Sequence, residues 1–198
     1  MKIQQFTYFY PEKPFLITRE QTLFETCNQS SDWVAEKKYN GGRLQLHYID
    51  SKFQFWNRHG ALFNFQPNEE MQSALASLKL KGYCLFDGEL RNNKVIGVRQ
   101  KAVLFDVHIW DGEILRIPFI QRRKILESLG LKIEGEPLGI VQQYKTSFDK
   151  LFEEVIKDEE IEGLVLKSLN GQLKIDRKAG QDSSWMLKIR RPCKNYRF

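Results

Sequence analysis

Cysteine is scarce in this chain, and the three present (Cys27, Cys84 and Cys193) lie far apart with no Cys-x-x-Cys pair. That spacing argues against a disulfide framework and against a zinc site. It favours a reducing compartment, so the expectation is a cytoplasmic chain, with the nucleus left open. Histidine is as thinly spread: His47, His59 and His108 form no close pair, and ordinary strand or loop positions are expected for them. Apolar runs are short. Stretches such as Ala102-Val103-Leu104-Phe105 fall far below a membrane span, Met1 to Phe6 has no secretory apolar region, and no membrane partner is expected. Internal repeats and low-complexity segments are also missing. A hydrophobic content of 41% with 28% charged residues excludes a disordered chain, and 198 residues suffice for one domain with a real core.

Acid is absent from the end of the chain. Lys188 to Phe198 carries Lys188, Arg190, Arg191, Lys194 and Arg197 without an Asp or Glu, with Tyr196 and Phe198 interleaved. Such a stretch either tracks phosphates while stacking bases or is a solvated basic tail, and both readings stand. It concentrates part of a net charge of +6.

Periodicity divides the rest. Helices are predicted over Glu20 to Cys27, over Glu69 to Leu80 behind an Asn68 cap, from Pro118 through Leu129 with Gly130 as terminator, and over Phe148 to Lys157 behind Ser147. Arg43 to Ile49 alternates, Asp50-Ser51 turns, and Lys52 to Trp56 alternates again, which predicts a hairpin. Tyr83 to Leu90, Val103 to Trp110, Gly163 to Leu169 and Trp185 to Ile189 read as further strands, with a hairpin at Asn170-Gly171. Interspersed helices and hairpin-linked strands predict an α+β fold with mostly antiparallel sheets flanked by helices.

The stretch Glu36-Lys37-Lys38-Tyr39-Asn40-Gly41-Gly42-Arg43 sets a lysine beside a small-residue turn that feeds a half-buried strand. A lysine amine is a nucleophile when kept partly neutral, glycines let the backbone approach a ligand, and a guanidinium holds phosphate or ribose oxygens. Alone, such a motif more often marks a solvated lysine on a surface hairpin. Further polar clusters sit at strand edges: Asn57-Arg58-His59-Gly60, Asp87-Gly88-Glu89, Phe105-Asp106, and Glu162-Gly163-Leu164-Val165-Leu166-Lys167. In Trp185 to Arg190 the period of two sends Trp185, Leu187 and Ile189 to one face, and Met186, Lys188 and Arg190 to the other.

In this order the motifs resemble those of the covalent nucleotidyltransferase superfamily: ATP-dependent DNA ligases, RNA ligases and mRNA-capping guanylyltransferases. Lys38-Tyr39-Asn40-Gly41 is similar to the Lys-x-Asp-Gly nucleophile motif, Glu162 to Lys167 to Glu-Gly-x-Val-x-Lys, and Lys188-Ile189-Arg190 to the Lys-x-Lys pair. Ile117 to Leu126 resembles a Pro-Leu-x-x-Arg-Arg-x-x-Leu helix of DNA ligases. The resemblance implies the nucleotidyltransferase (ATP-grasp-like) fold over residues 1–190, with 191–198 as a basic tail. It implies Lys38 as nucleophile toward the α-phosphate of ATP, with AMP held as a phosphoramidate, and Lys188 and Arg190 as the cations that bind that phosphate. Glu162 would place Mg²⁺ (or Mn²⁺). Glu89 would accept from a ribose hydroxyl, Arg43 and Arg58 would contact ribose or phosphates, with Arg58 also able to hold the 5′-phosphate of the acceptor strand, and Glu36 would read the adenine amino group. Phe105 would stack on adenine, against an equal reading as ordinary core.

Asn40 stands where Asp is usual, and Lys188 follows Trp185 by three residues instead of two. The chain stops eight residues after Arg190, which leaves three readings: a minimal stand-alone nucleotidyltransferase, an excised domain, or a domain completed by a separate OB-fold or nucleic-acid-binding partner. The implied activity is ATP-dependent joining of nicked or broken nucleic acid, DNA slightly favoured over RNA. The rivals are a GTP-dependent capping guanylyltransferase and a non-catalytic nucleic-acid-binding module that kept the fold.

Overall fold

The computed structural model describes residues 5–91, 100–174 and 180–191. Its elements in chain order are β1 (Lys13–Leu16), α1 (Thr22–Gln29), β2 (Trp33–Tyr39), β3 (Gly42–Ile49), β4 (Lys52–Asn57), α2 (Glu69–Ala76), β5 (Cys84–Arg91), β6 (Lys101–Trp110), β7 (Glu113–Ile114), α3 (Phe119–Glu127), β8 (Leu138–Ile140), β9 (Gln143–Tyr144), α4 (Phe148–Val155), β10 (Ile161–Ser168) and β11 (Asp182–Arg190). They form two sheets. One runs β1-β11-β10-β2-β9, the other β4-β3-β5-β6-β7 with β8 added beside β6. Every pairing is antiparallel except β1 with β11 and β6 with β8, so the expected α+β, mainly antiparallel architecture is present.

Alternation along the strands assigns each sheet an apolar and a polar face. In the first sheet Ala35, Tyr39, Leu164, Leu166, Leu187 and Ile189 pack against α1 and α4. In the second, Leu44, Leu46, Phe86, Leu90 and Leu104 pack against α2 and α3. The opposite faces carry Glu36, Lys38, Lys167 and Lys188 on one sheet, and Arg43, Gln45, His47 and Asp87 on the other. The chain passes between sheets at Asn40-Gly41, two residues after Lys38.

Local chemistry explains several elements. Asp50 (φ 49°) and Ser51 (φ 60°) both take left-handed backbone, as a two-residue hairpin turn with the twist of its strands requires. Asn68 Oδ1 accepts from the Met71 amide at 2.9 Å and caps α2, whose first turn holds Glu69 and Glu70.

Other boundaries move. α1 lies two residues later than the sequence pattern predicts, and α2 stops at Ala76, because Leu78 and Leu80 reach the core from the turns that follow. α3 and α4 end near their predicted termini, but Ser147 caps nothing: it sits at φ 58°, and Asn28 Oδ1 accepts from the Phe148 amide at 2.6 Å instead. Asn170-Gly171 turns the chain without forming a tight hairpin. Gln172 bridges to Pro118, and the partner of β10 begins at Asp182. The expected basic tail, from residue 192 on, lies outside the described residues.

Candidate functional site

Lys38 is the penultimate residue of β2. It pairs with Gly163, which in turn pairs with Arg190, while Val165 lies between Glu36 and Lys188. Register therefore gathers Lys38, Lys188 and Arg190 on the polar face. Lys38 Nζ donates to Glu162 Oε2 at 2.5 Å, and Arg190 Nε lies 3.6 Å from the same oxygen. One carboxylate thus serves a group of cations. Burial first, then Arg190 and Lys38, push the Lys188 ammonium down to about 8.

Glu162 reaches this face through a β-bulge. Ile161 lies opposite Tyr39 and Gly163 opposite Lys38, so Glu162 is an extra residue in the ladder. Gly163 makes the bulge possible: its φ is +149°, and a Cβ there would lie 2.0 Å from the Ile189 carbonyl oxygen. A second bulge lies in the other sheet. Asp87 faces Asp106 and Gly88 faces Leu104, which leaves Phe105 as the extra residue. A Cβ on Gly88 would lie 2.6 Å from the Val103 carbonyl oxygen. The bulge lets Phe105 and Asp106, though adjacent, both line the same cavity with Arg43, Asp87, His108 and Lys167.

A third irregularity corrects the parity expected for the last strand. Between Lys13–Asp182 and Phe15–Leu187, β11 advances five residues for two of β1. Ser183 Oγ accepts from the Trp185 and Met186 amides at 3.2 Å each. Trp185 consequently joins Met186, Val34 and Phe119 and leaves Leu187 and Ile189 to the main core. Beyond this irregularity, Lys188 and Arg190 pair in register with Val165 and Gly163.

On the second sheet Arg43 and Glu89 are cross-strand neighbours. The Arg43 guanidinium forks onto Asp87, with Nε to Oδ1 at 2.7 Å, and stands 5.2 Å from the Phe105 ring centroid. Glu89 packs over the interstrand turn, its Cγ 2.7 Å from where a Gly41 Cβ would be. Phe105 is half-buried against the main core and also lines the cavity, so both readings of this residue describe part of its setting. Arg58 is exposed. It follows β4 at the Arg43 end of the sheet, donates to His59 Nε2 at 3.2 Å, and makes no ion pair among the described residues.

Glu36 is buried, with Oε1 accepting from Gln143 at 2.8 Å and Oε2 paired to Lys167 at 2.6 Å. Lys167 also donates to the Phe105 carbonyl at 3.1 Å, so one ammonium ties both sheets together. Sequence reasoning treats Lys167 only as the end of a motif; its place beside Glu36 follows from the β2–β10 register, which no local pattern reveals. That reasoning also passes over the buried chain of charge behind the cavity. Arg122, in α3, makes two 2.9 Å bonds to Asp106, and His108 Nε2 lies 3.6 Å from Asp87 and 3.9 Å from Asp106. Burial alone would raise the Asp106 carboxyl, but Arg122 holds it below the usual range. Burial keeps His108 neutral.

Among the described residues no three His, Cys, Asp or Glu side chains converge as a metal cage. Glu162 is a partly exposed single carboxylate beside the cations, a donor set suited to a hard ion that takes most of its ligands from phosphate and water. No helix of the described residues is long and apolar enough to cross a membrane.

Comparison with known proteins bears on this arrangement. A family model described as "ATP dependent DNA ligase domain" matches residues 91–190, just over half of the chain. A DNA ligase of Methanosphaera stadtmanae is 26% identical over 186 residues, covering 80% of this chain and 33% of the relative. The chain thus spans about a third of that relative's length. Among solved structures, the ligase domain from M. tuberculosis LigD aligns with a TM-score of 0.60 at 19% identity, over 88% of this chain and 58% of that one. An archaeal ATP-dependent RNA ligase aligns at 0.56 and 15% identity, over 93% and 48%. Both structures share the fold.

Proposed function

The chain belongs to the family of the ATP-dependent DNA ligase domain, and from that premise we propose that it is the adenylylating part of a polynucleotide ligase, with Lys38 as the nucleophile. The observation that carries this reading is the convergence of Lys38, Glu162, Lys188 and Arg190 on one sheet face, with Lys38 Nζ 2.5 Å from Glu162 Oε2.

In the first step a neutral Lys38 amine attacks the α-phosphorus of ATP. An N–P bond forms, the bond to the bridging oxygen breaks, and pyrophosphate leaves with its electron pair. Glu162 Oε2, already bonded to Lys38, is the nearest acceptor for the amine's proton. Lys188 and Arg190 offset the negative charge that grows on the α-phosphate oxygens. Mg²⁺ or Mn²⁺, held by Glu162 and phosphate oxygens, would supply further charge neutralisation. Glu89 and Arg43 border the Gly41 turn, where a ribose would lie, and Phe105 offers its ring to the base. An adenine amino group would share a Glu36 oxygen already bonded to Gln143 or Lys167. AMP then passes to a 5′-phosphate, and that end joins a 3′-hydroxyl. DNA is the preferred strand, on the family match and the DNA ligase relative.

The test is incubation with Mg²⁺ and α-labelled ATP or GTP, followed by denaturation. Label is expected from ATP, absent in Lys38→Ala. Label from GTP alone would make the chain a capping enzyme. No label from either nucleotide, or label that persists in Lys38→Ala, would overturn the covalent mechanism. Nicked DNA and nicked RNA compared side by side settle the strand.

A further inference from the structure

Lys37 and Tyr39, the two neighbours of Lys38, leave the opposite face of β2, and both end on the same carboxylate. Lys37 Nζ lies 2.9 Å from Glu134 Oε2, and Tyr39 Oη donates to Glu134 Oε1. We propose that Glu134 is a positioning residue for the nucleophile: by gripping both flanks of Lys38 from behind, it fixes the rotation of the strand end that aims the amine at Glu162. The proposal rests on Lys38 being the nucleophile.

The loop that carries Glu134 is built to hold it. Glu134 sits at φ 51°, a left-handed conformation a glutamate adopts only when its surroundings impose it. Its amide donates to the Ile140 carbonyl at 2.7 Å, and the Ile140 amide to the Lys132 carbonyl at 3.1 Å. The loop closes tightly on itself, since a Cβ on Gly139 would meet Gly135 nitrogen at 2.4 Å. Strand β8 then anchors the loop to β6, the strand of Phe105.

The need for such a grip follows from topology. One residue beyond Lys38 the strand ends, and the chain leaves one sheet for the other through Asn40-Gly41. Strand ends without a partner on both sides twist readily, and a displacement of about 1 Å at a reacting atom is enough to cost a large factor in rate. Turning Lys38 away from Glu162 would have to break contacts on both sides of it at once. The same end is braced again: Arg91 lies 4.9 Å from the Tyr39 ring centroid and pairs with Glu160, whose carbonyl accepts from the Asn40 amide at 2.9 Å. Glu134 is half-buried, and the pairing with Tyr39 and Lys37 keeps its carboxyl ionised below the usual range, against the opposite pull of burial.

Single-turnover labelling of Lys38 across ATP concentrations tests this. Glu134→Ala is expected to slow the saturating rate constant roughly 10–100-fold while the ATP concentration at half-rate moves less than about threefold. Glu134→Gln, which keeps an acceptor for Tyr39, restores most of that rate. Lys37→Met and Tyr39→Phe each slow the step in the native chain and add nothing in the Glu134→Ala background. A fall in labelling amplitude at an unchanged rate constant marks loss of folded protein alone and overturns the proposal. So does a native rate in Glu134→Ala, or additive losses in the double variants. Should the native chain take no label at Lys38, the assignment of the nucleophile falls first; native labelling with an indifferent Glu134 removes only the positioning role.

Discussion

Lys188 shows how a charge disfavoured in the folded state is put to use. Its ammonium stands half-buried beside Arg190 and Lys38, and its pKa is held down to about 8. Between that value and the ordinary lysine range near about 10.4, the unfolded chain binds more protons than the folded one, so stability rises with pH through this window. Below it both states are protonated, and the folded state carries the full disadvantage. Lys188→Met is therefore expected to raise Tm at pH 7 by roughly 2 °C, the burial being only partial, and the gain should shrink as the pH goes from 8 to 10. The same variant should lose most ATP labelling, because it removes the cation proposed to face the α-phosphate. In the native chain the ATP concentration for half-maximal labelling should climb above pH 8, and in Lys188→Arg that rise should disappear. Thermal scans and labelling titrations at matched pH values check both halves.

At the scale of elements, the site depends on places where the ladders slip. Two glycines with no room for a Cβ, Gly163 and Gly88, allow Glu162 and Phe105 to enter as extra residues. Gly163→Ala sets a Cβ 2.0 Å from a backbone oxygen in a conformation L residues avoid. A loss of about 3 kcal/mol or more is expected, with Tm lower by roughly 6–12 °C. Helix α3 is anchored by another device: Arg122 and Asp106 are buried and doubly bonded. Arg122→Met alone should destabilise by about 3–5 kcal/mol, since it strands a buried carboxylate, and Arg122→Met with Asp106→Leu should recover at least half of that. Urea denaturation of the single and double variants measures the difference.

These slips also explain what could be read in advance. The β3–β4 hairpin, α2 and the motifs at Lys38, Glu89 and Glu162 were legible, because turn chemistry, a cap and a residue pattern are local. The parity reading puts Trp185 on the wrong face because period-two alternation assumes an unbroken ladder, and the Ser183 bonds that break it sit where β11 slips against β1, a strand too short to recognise. β2 itself went unread as a strand, since Glu36, Lys37 and Lys38 interrupt its apolar alternation. Those charges are tolerated there only because Lys167, Glu134 and Glu162 arrive from distant sequence to pair with them.

Across the whole molecule, charge is divided between two settings that salt should separate. In the candidate pocket Lys167 is buried on Glu36, Arg43 is half-buried on Asp87, and Lys38 and Lys188 are partly shielded. Buried pairs are screened little, so adenylylation of Lys38 should lose less than about threefold between 50 and 200 mM salt. On the proposed reading, strand binding would use cations that reach solvent, such as Arg58, within a chain of net charge +6. If it neutralises four to six phosphates, affinity for a nicked duplex should fall roughly 10²–10³-fold over the same range. The two steps should therefore part company: Lys38-AMP accumulates as salt rises while its transfer to the 5′-phosphate collapses. Arg58→Ala should flatten the salt slope of transfer by about one unit and lower transfer more than labelling. Equal salt dependence of both steps would mean that the nucleic acid is held by the pocket itself and not by the surrounding basic surface.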